Sequence, residues 1–555
     1  MAVTDIEMET EEKSHNDAKN KPSQVPLPTQ LSHCRWIVDQ GGLTDAVICY
    51  PYSGSGEIDD PYVVHWIPND PRNPLNLSTK MKWLITMTVG GTTMTAALIS
   101  SGYSGGINQV MEHFDVSREV ATLGMSLFVI GFAFGPFLWA PLGEIYGRQR
   151  IFCLTVFGLT VFTAAAAGSQ NIQTLLILRL IAGVFGASPM TNAGGVLADI
   201  WPPAQRGLAM NIFSVAPSLG PVFGPVIGGF IGMLHGWRWV QAFMAFLAGF
   251  FWVVGMLIVP ETYAPVLLHR RAEKLSKLTG KAYWSKGDDN RKTKSESFKI
   301  ALLRPWRLLL REPIVTALSF YSAIIFGTLY MFFAAYPIVY EQTRKWSQGV
   351  STLPFIAIFI GLMSSFIYMV PENRHYIKVQ QQNGGHAPPE TRLRPALVGC
   401  YAIPIGIFWF AWTNSPSVHW LASVAAGVPF GFGFGLVFVS ILNYLMDAYT
   451  IFSASAFAAN TVLRCSFGAV FPLFASYMYS GLGIHWASSV PAFLAVLCVP
   501  FPMIFAAYGP AIRKRCKFAA ESAAYLQILQ EVSVAQANTE DGGQKVVTGE
   551  GISEV

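Results

Sequence analysis

Charge is scarce in this chain. Only 13% of its 555 residues are Asp, Glu, Lys or Arg, against 52% hydrophobic residues, and the mean hydropathy is +0.39. A chain of this length built as soluble domains would make three or four of them, each needing a polar shell, and the charges for those shells are missing. Cysteine is equally uninformative: seven residues (Cys34, Cys49, Cys153, Cys400, Cys465, Cys498, Cys516), odd in number, scattered and never spaced as CxxC. Neither a disulfide framework nor a metal site is signalled. No GxxxxGK[ST] occurs, so a nucleotide held on this chain is not the expected energy source. HExxH is also absent, and no catalytic residues, no cofactor and no enzyme activity are expected. The polar N-terminus, rich in Asp and Glu, has no short apolar core followed by small cleavage residues. The first hydrophobic span is therefore expected to act as its own insertion signal.

What is present is long apolar runs. A membrane-spanning helix needs about 20 mostly apolar residues, and twelve such stretches fall at about 83–105, 120–142, 151–169, 173–198, 208–233, 238–259, 314–339, 349–370, 395–413, 418–446, 454–481 and 487–508. They predict an all-α polytopic membrane protein of twelve transmembrane helices in two pseudo-symmetric six-helix halves. The halves would be 83–259 and 314–508, flanked by a largely disordered N-terminal tail (1–82), a central loop (260–313) and a C-terminal tail (509–555). The segment after Val532 shares the tail composition. A short amphipathic helix is expected around Pro265 to Leu278.

Basic residues choose the orientation. With the N-terminus in the cytosol, the cytosolic loops hold twenty Lys and Arg, thirteen of them between Arg270 and Arg311. The outside loops hold four: Arg118, Arg238, Arg344 and Lys345. Both termini are thus expected in the cytosol. Trp237 and Trp239 then fall at an outer interfacial belt, and the sequon Asn76-Leu77-Ser78 stays on the cytosolic side, unglycosylated.

The strongest local pattern is APSLGPVFGPVIGG in span 5. Gly220, Gly224 and Gly228 repeat every four residues, Gly229 follows, and Pro217, Pro221 and Pro225 run on a neighbouring line. Prolines inside a soluble helix cost about 3 kcal/mol each, whereas neighbours in a membrane bundle re-satisfy the freed carbonyls. The bare face predicts close helix packing, with or without a further role in transport. GVPFGFGFG in span 10 lies inside an apolar helix with no strand before it, so it is not a phosphate-cradling loop.

Charges inside spans are costly, at least about 2.5 to 3.5 kcal/mol each, and point to a cavity, a partner or water. Arg179 lies well inside span 4, either as a functional charge or as a packing arginine bonded to carbonyls. Arg464 lies near mid-membrane in span 11 with Asn460 one turn away, and both argue for a polar interior pathway. Asp447 at the inner end of span 10 is either the partner of Arg464 or a solvated end charge. Tyr321, Phe326 and Tyr330 belong to an aromatic run in span 7 that either lines a cavity for a flat apolar ligand or packs against core and lipid.

Span 5 resembles the antiporter motif of the major facilitator superfamily. APLGEIYGRQR between spans 2 and 3 is similar to the superfamily's short loop motif, with Leu142, Glu144, Gly147 and Arg148 on matching positions. Ala140 replaces the usual first glycine, and Gln149 stands where a basic residue is usual, with Arg150 next to it. DPRNPLNLSTKMKW, RLIAGVFGA, WRWVQAF, PETYAPVLLHRRAEKL, AANTVLR and FPLF resemble the fungal branch of twelve-span drug:proton antiporters, the multidrug and polyamine exporters, although Leu77 stands where that group usually has Trp. The resemblance covers about Asp70 to Arg515. It implies that Arg179 takes part in proton transfer. It also implies that Glu144, Arg148 and Asp199 form a charge network stabilising one conformation; a solvated set of loop charges is the other reading.

The resemblance implies a proton-coupled antiporter that exports amphipathic organic compounds by alternating access, with the proton gradient in place of a cofactor. The expected partners are the lipid bilayer and a small amphipathic molecule, with no nucleic acid, and the family's usual form is a monomer. The plasma membrane is the expected address, with the vacuolar membrane as the alternative. An exporter of one endogenous secondary metabolite, an uptake symporter and a transporter-like sensor are the other functions in view. No acidic residue lies deep in any span, so no proton-carrying group is assigned.

Overall fold

The computed structural model describes residues 41, 43–285, 294–383 and 387–525. The expected disordered stretches at 1–40 and beyond Val532 lie outside them. The chain divides into two units, 80–259 with 292–555, and 1–79 with 260–291.

The larger unit is helical. Spans 1 to 6 run Thr79–Gly102, Arg118–Tyr146, Arg148–Ala167, Ile172–Ile200, Pro203–His235 and Trp237–Ile258. Spans 7, 8 and 9 are Pro313–Tyr336, Phe355–Gln382 and Arg394–Thr413. Span 10 is Trp420–Ala425 continued as Gly427–Ala448. Ser453–Cys498 followed by Pro500–Arg515 contains the last two. Among the described residues, eleven helical runs are long and apolar enough to cross a membrane, and the last folds back on itself at Gly483 to make two. Gly483 has φ +74° and ψ 167°, and Gly147, between spans 2 and 3, has φ +98° and ψ 156°. Both occupy a region open essentially to glycine alone, which reverses the chain within one residue.

The turns after odd-numbered spans lie at one end, here the far end. Those after even-numbered spans lie at the other, the terminal end, with Lys80 and Arg515. Many hydroxyl groups within the spans are satisfied by their own helix. In span 1, Thr86, Thr88, Thr92, Thr93 and Thr95 each donate to the carbonyl four residues back, at 2.8 to 2.9 Å. A threonine-rich helix is thereby compatible with lipid.

The two halves repeat one packing plan. Span 2 packs on span 4, and span 8 on span 10. A Cβ on Gly183 would lie 2.1 Å from the Phe128 carbonyl oxygen, and one on Gly431 2.2 Å from that of Ile358. Glycine lets the backbones touch at equivalent places in each half. Span 3 likewise packs on span 6, and span 9 on span 12. The seam between the halves is made chiefly by span 2 against span 11 and span 5 against span 8. Span 4 packs on spans 2, 3 and 5 of its own half, and span 10 on spans 7, 8, 9 and 11 of its own.

The smaller unit joins stretches that the sequence reading placed in a tail and a loop. Residues 43–79 are built into it. β1 (Tyr62–Val64) pairs in parallel with β2 (Tyr283–Ser285), and a helix runs Ala264–Thr279. Ala46, Val47, Tyr52, Val64, Ile67, Ala272 and Leu275 form its core. Its polar centre explains why the two stretches belong together. Asp70 and Arg271 are buried and ion-paired, the Arg271 guanidinium lies 4.9 Å over the Trp66 ring, and Arg72 donates to the Glu261 carbonyl oxygen at 3.3 Å. The helix expected around Pro265 to Leu278 is present, but the order of 43–79 could not be recognised from its own composition, because each stretch supplies half of the ion pair and half of the core. Removing one partner of a buried pair typically costs about 3–5 kcal/mol. Asp70→Ala is therefore expected to raise amide hydrogen exchange throughout 264–279 of the full chain, and unchanged protection there would refute this account.

Candidate functional site

Arg179 is fully buried in span 4. Its Nε donates to the Gly124 carbonyl oxygen at 3.0 Å, and its two terminal nitrogens donate to those of Ile99 at 3.0 Å and Ser100 at 3.3 Å. Ile99 and Ser100 lie in the last turn of the α-helical part of span 1, where carbonyls point out of the helix and favour a cation. The Phe128 and Tyr103 rings cover the guanidinium at 4.6 and 4.7 Å. Gly183, one turn after Arg179, admits the backbone that carries Phe128. Arg179 is thus held by backbone carbonyls and aromatic faces.

The glycine face of span 5 holds those carbonyls in position. Cβ atoms on Gly220, Gly224 and Gly228 would strike Ala97, Ser101 and the Gly102 carbonyl of span 1, and Ser101 Oγ donates to the Gly220 carbonyl at 3.0 Å. Pro217, Pro221 and Pro225 sit inside the unbroken helix. The face therefore packs span 5 against span 1 within one half. Gly229 is the member of the motif that faces the other half, where a Cβ would meet Thr352.

Ser100 links Arg179 to the second half. Its backbone accepts from Arg179, while its Oγ stands 2.7 Å from the Tyr330 Oη of span 7. Tyr330 packs on Phe326, with ring centroids 4.7 Å apart. Phe326 in turn lies 4.8 Å under the guanidinium of Arg464, whose other neighbour is the Phe438 ring at 4.9 Å. Arg464 is buried, and its Nε has no hydrogen-bond acceptor among the described residues. The two intramembrane arginines therefore stand at opposite ends of one contact line, Arg179–Ser100–Tyr330–Phe326–Arg464, that crosses the seam. Just beyond it, Ser126 Oγ of span 2 donates to the Ala469 carbonyl of span 11 at 2.6 Å.

The structure gives Asp447, Tyr321 and Asn460 separate surroundings. Asp447 is not the partner of Arg464: it accepts from Arg392 Nε at 2.8 Å and from Tyr376 Oη at 3.1 Å. Asp447 is at the terminal end of span 10, whereas Arg464 lies eleven residues into span 11, about 16 Å along the helix. Tyr321 is not on the seam. Nine residues from Tyr330 is two and a half helical turns, so it faces the opposite way, towards Cys400 and Cys498 of spans 9 and 12. Asn460 is buried and donates to Ser319 Oγ at 3.4 Å, separately from Arg464.

The loop charges assemble in part. Arg148 pairs with Asp199 at 3.5 Å and donates to Asn192 Oδ1 at 3.2 Å, while exposed Glu144 stays within electrostatic range of Arg148. Arg392 and Asp447 repeat the Arg148–Asp199 pair at the equivalent place in the second half. Internal symmetry was the sequence signal that could have found Arg392. Glu312 carried no such signal. It is buried just before span 7 and accepts from Tyr449 Oη at 2.9 Å and the Phe518 backbone N–H at 3.1 Å. Burial and the Glu312 carboxylate push the Cys516 thiol up to about 12.

The sequence profile of the Major Facilitator Superfamily matches residues 89–472. The chain is 58% identical over 526 residues to the major facilitator superfamily multidrug transporter mdrA of Aspergillus fumigatus, covering 94% of this chain and 86% of that one. It is 54% identical to the MFS-type efflux pump MFS2 of Trichophyton rubrum, covering 94% of this chain and 88% of the relative. Among solved structures, it is similar to the proton:xylose symporter XylE, with TM-score 0.55 and 16% identity, over 78% of this chain and 97% of that one.

Proposed function

The chain belongs to the Major Facilitator Superfamily, and from that premise we propose that it is a proton-coupled antiporter exporting amphipathic organic compounds by alternating access. The observation that carries this reading is the line joining Arg179 to Arg464 through Ser100, Tyr330 and Phe326. Each guanidinium lies against aromatic faces rather than a carboxylate, and the link between them must be remade whenever the halves move. A change of charge or hydration at one arginine therefore alters the packing of both halves, as coupling of a proton to a conformational change requires. Phe326 and Tyr330 supply aromatic surface at the seam for an apolar ligand.

The relatives named as a multidrug transporter and an efflux pump favour export. In this reading the terminal end faces the cytosol, the chain sits in the plasma membrane as a monomer, and Arg148–Asp199 and Arg392–Asp447 brace the cytosolic ends of the two halves. One proton falling through 100 mV and one pH unit releases about 3.7 kcal/mol, enough for about a 500-fold gradient of a neutral solute. Purified full-length chain in liposomes is expected to move a fluorescent amphipathic cation against its gradient when a pH step is imposed, and to stop when an uncoupler is added. No movement with any member of a chemically varied panel would refute the proposal. Movement of a single compound would narrow it to a dedicated exporter.

A further inference from the structure

The far end of the seam contains a charged contact. After span 1 the chain makes a 3-10 turn, Tyr103–Gly106, and a short helix, Ile107–Phe114. Opposite it, span 7 ends in a π-helical segment, Pro337–Thr343, and two residues later Lys345 has φ +61°. π-helical turns are uncommon and recur at functional sites. The segments meet across the seam. Asn108 Nδ2 donates to Glu341 Oε1 at 3.0 Å, and the Gln348 side-chain amide donates to the Gly105 carbonyl. Between them is a cavity of about 20 Å³, lined in part by Asn108, Arg118, Thr122, Glu341 and Gln348, with room for roughly one water molecule. Arg118, at the start of span 2, is the charged group that faces Glu341, and Glu119 is the acidic neighbour of Arg118.

We propose that Glu341 is the proton-operated latch of the far end. Ionised, its carboxylate accepts from Asn108 and attracts Arg118, both on the other half, and holds the halves together there. Protonated, it keeps a weaker hydrogen bond and loses the attraction, so the far end opens as the pH at that face falls. The inference rests on the antiport reading, which places the far end on the side from which protons enter. It gives the imposed gradient a place to act on the conformational equilibrium, in a chain with no carboxylate deep in its spans.

Opening can be read without transport. Ser104→Cys, at a position that lines the cavity, is labelled with a maleimide in full-length chain in lipid nanodiscs, with the label on unsubstituted chain subtracted. Its rate is divided by that of Ser417→Cys on an exposed far-end turn, which cancels the pH dependence of the thiol itself. Between pH 7.5 and 5.5 the ratio is expected to rise about tenfold, the equilibrium shift that loss of one charged hydrogen bond supports. In the Glu341→Gln background the ratio is expected to be high and flat. Asn108→Ala is expected to raise it at pH 7.5 and to keep part of the pH response, and serves if the glutamine variant does not fold. A ratio independent of pH with Glu341 present, or an unchanged response without it, would overturn the proposal. Because no substrate is added, a latch that titrates in a chain that moves nothing condemns the transport reading alone. The opposite pair of results condemns the latch alone.

Discussion

Arg179→Ala is expected to lower pH-driven solute movement in liposomes by at least about a hundredfold, while the chain still inserts and keeps its helical circular dichroism. The guanidinium makes three charged hydrogen bonds to backbone carbonyls, and bonds to a charged group contribute roughly 1.5–3 kcal/mol each. It also joins span 4 to the span 1 carbonyls beside the seam contact Ser100–Tyr330. Without it Tyr103 and Phe128 close over an empty space, and Ser100 no longer has its backbone and its hydroxyl held from opposite sides. The helices themselves persist, since their packing rests on Gly131, Gly135 and Gly183 between spans 2 and 4. Arg179→Lys keeps the charge but replaces a rigid fork by a single ammonium, which cannot reach three carbonyls on two helices, and a loss of more than about tenfold is expected. Initial rates at wild-type level in either variant would remove Arg179 from the mechanism.

The second large effect is structural. Gly228→Leu is expected to abolish the monodisperse, folded protein on size-exclusion chromatography in detergent. A Cβ there would sit 2.1 Å from the Gly102 carbonyl oxygen, a backbone atom that cannot swing aside. Overpacking of this kind costs typically 1–3 kcal/mol for an added methylene, and leucine adds four carbons where there is room for none. Span 1 would have to move, taking with it the carbonyls that hold Arg179. Gly194→Ala in span 4 is the matched control. Nothing lies within 4 Å of its Cβ position, so a change of no more than about 0.5 kcal/mol is expected. If both glycines tolerate substitution equally, close contact between spans 5 and 1 is not what the motif provides.

Much of this architecture was legible because the bilayer imposes a one-dimensional rule. A helix must be apolar over a fixed length, so most spans are found to within a few residues by hydropathy alone. The larger misses are where that rule does not apply. Span 8 continues to Gln382, twelve residues beyond the expected end, through Glu372, Arg374 and Lys378. Once the helix leaves hydrocarbon, its charged turns have no hydropathic signature. The stretch 43–79 was read as tail because its polar composition hides a core completed by residues about 200 positions away.

At the site, residue type was informative and partnership was not. A buried arginine in span 4 and the bare face of span 5 announce themselves, because a charge in hydrocarbon and a run of glycines both need a reason. Which atoms supply the reason depends on contacts between helices distant in sequence. Ser100 is an ordinary serine until span 7 sets Tyr330 against it, and Glu341 is a loop carboxylate until Asn108 and Arg118 face it. The linear chain thus decided that there are twelve crossings, how they alternate, and which side chains are too costly to leave unpaired. Folding alone decided the pairing: that Asp447 belongs to Arg392, that Tyr321 turns away from the seam, and that two arginines in different halves share one line of contacts. Hydrophobicity is a property of each segment by itself, whereas a hydrogen bond across a seam exists only when two segments are brought within about 3 Å of each other.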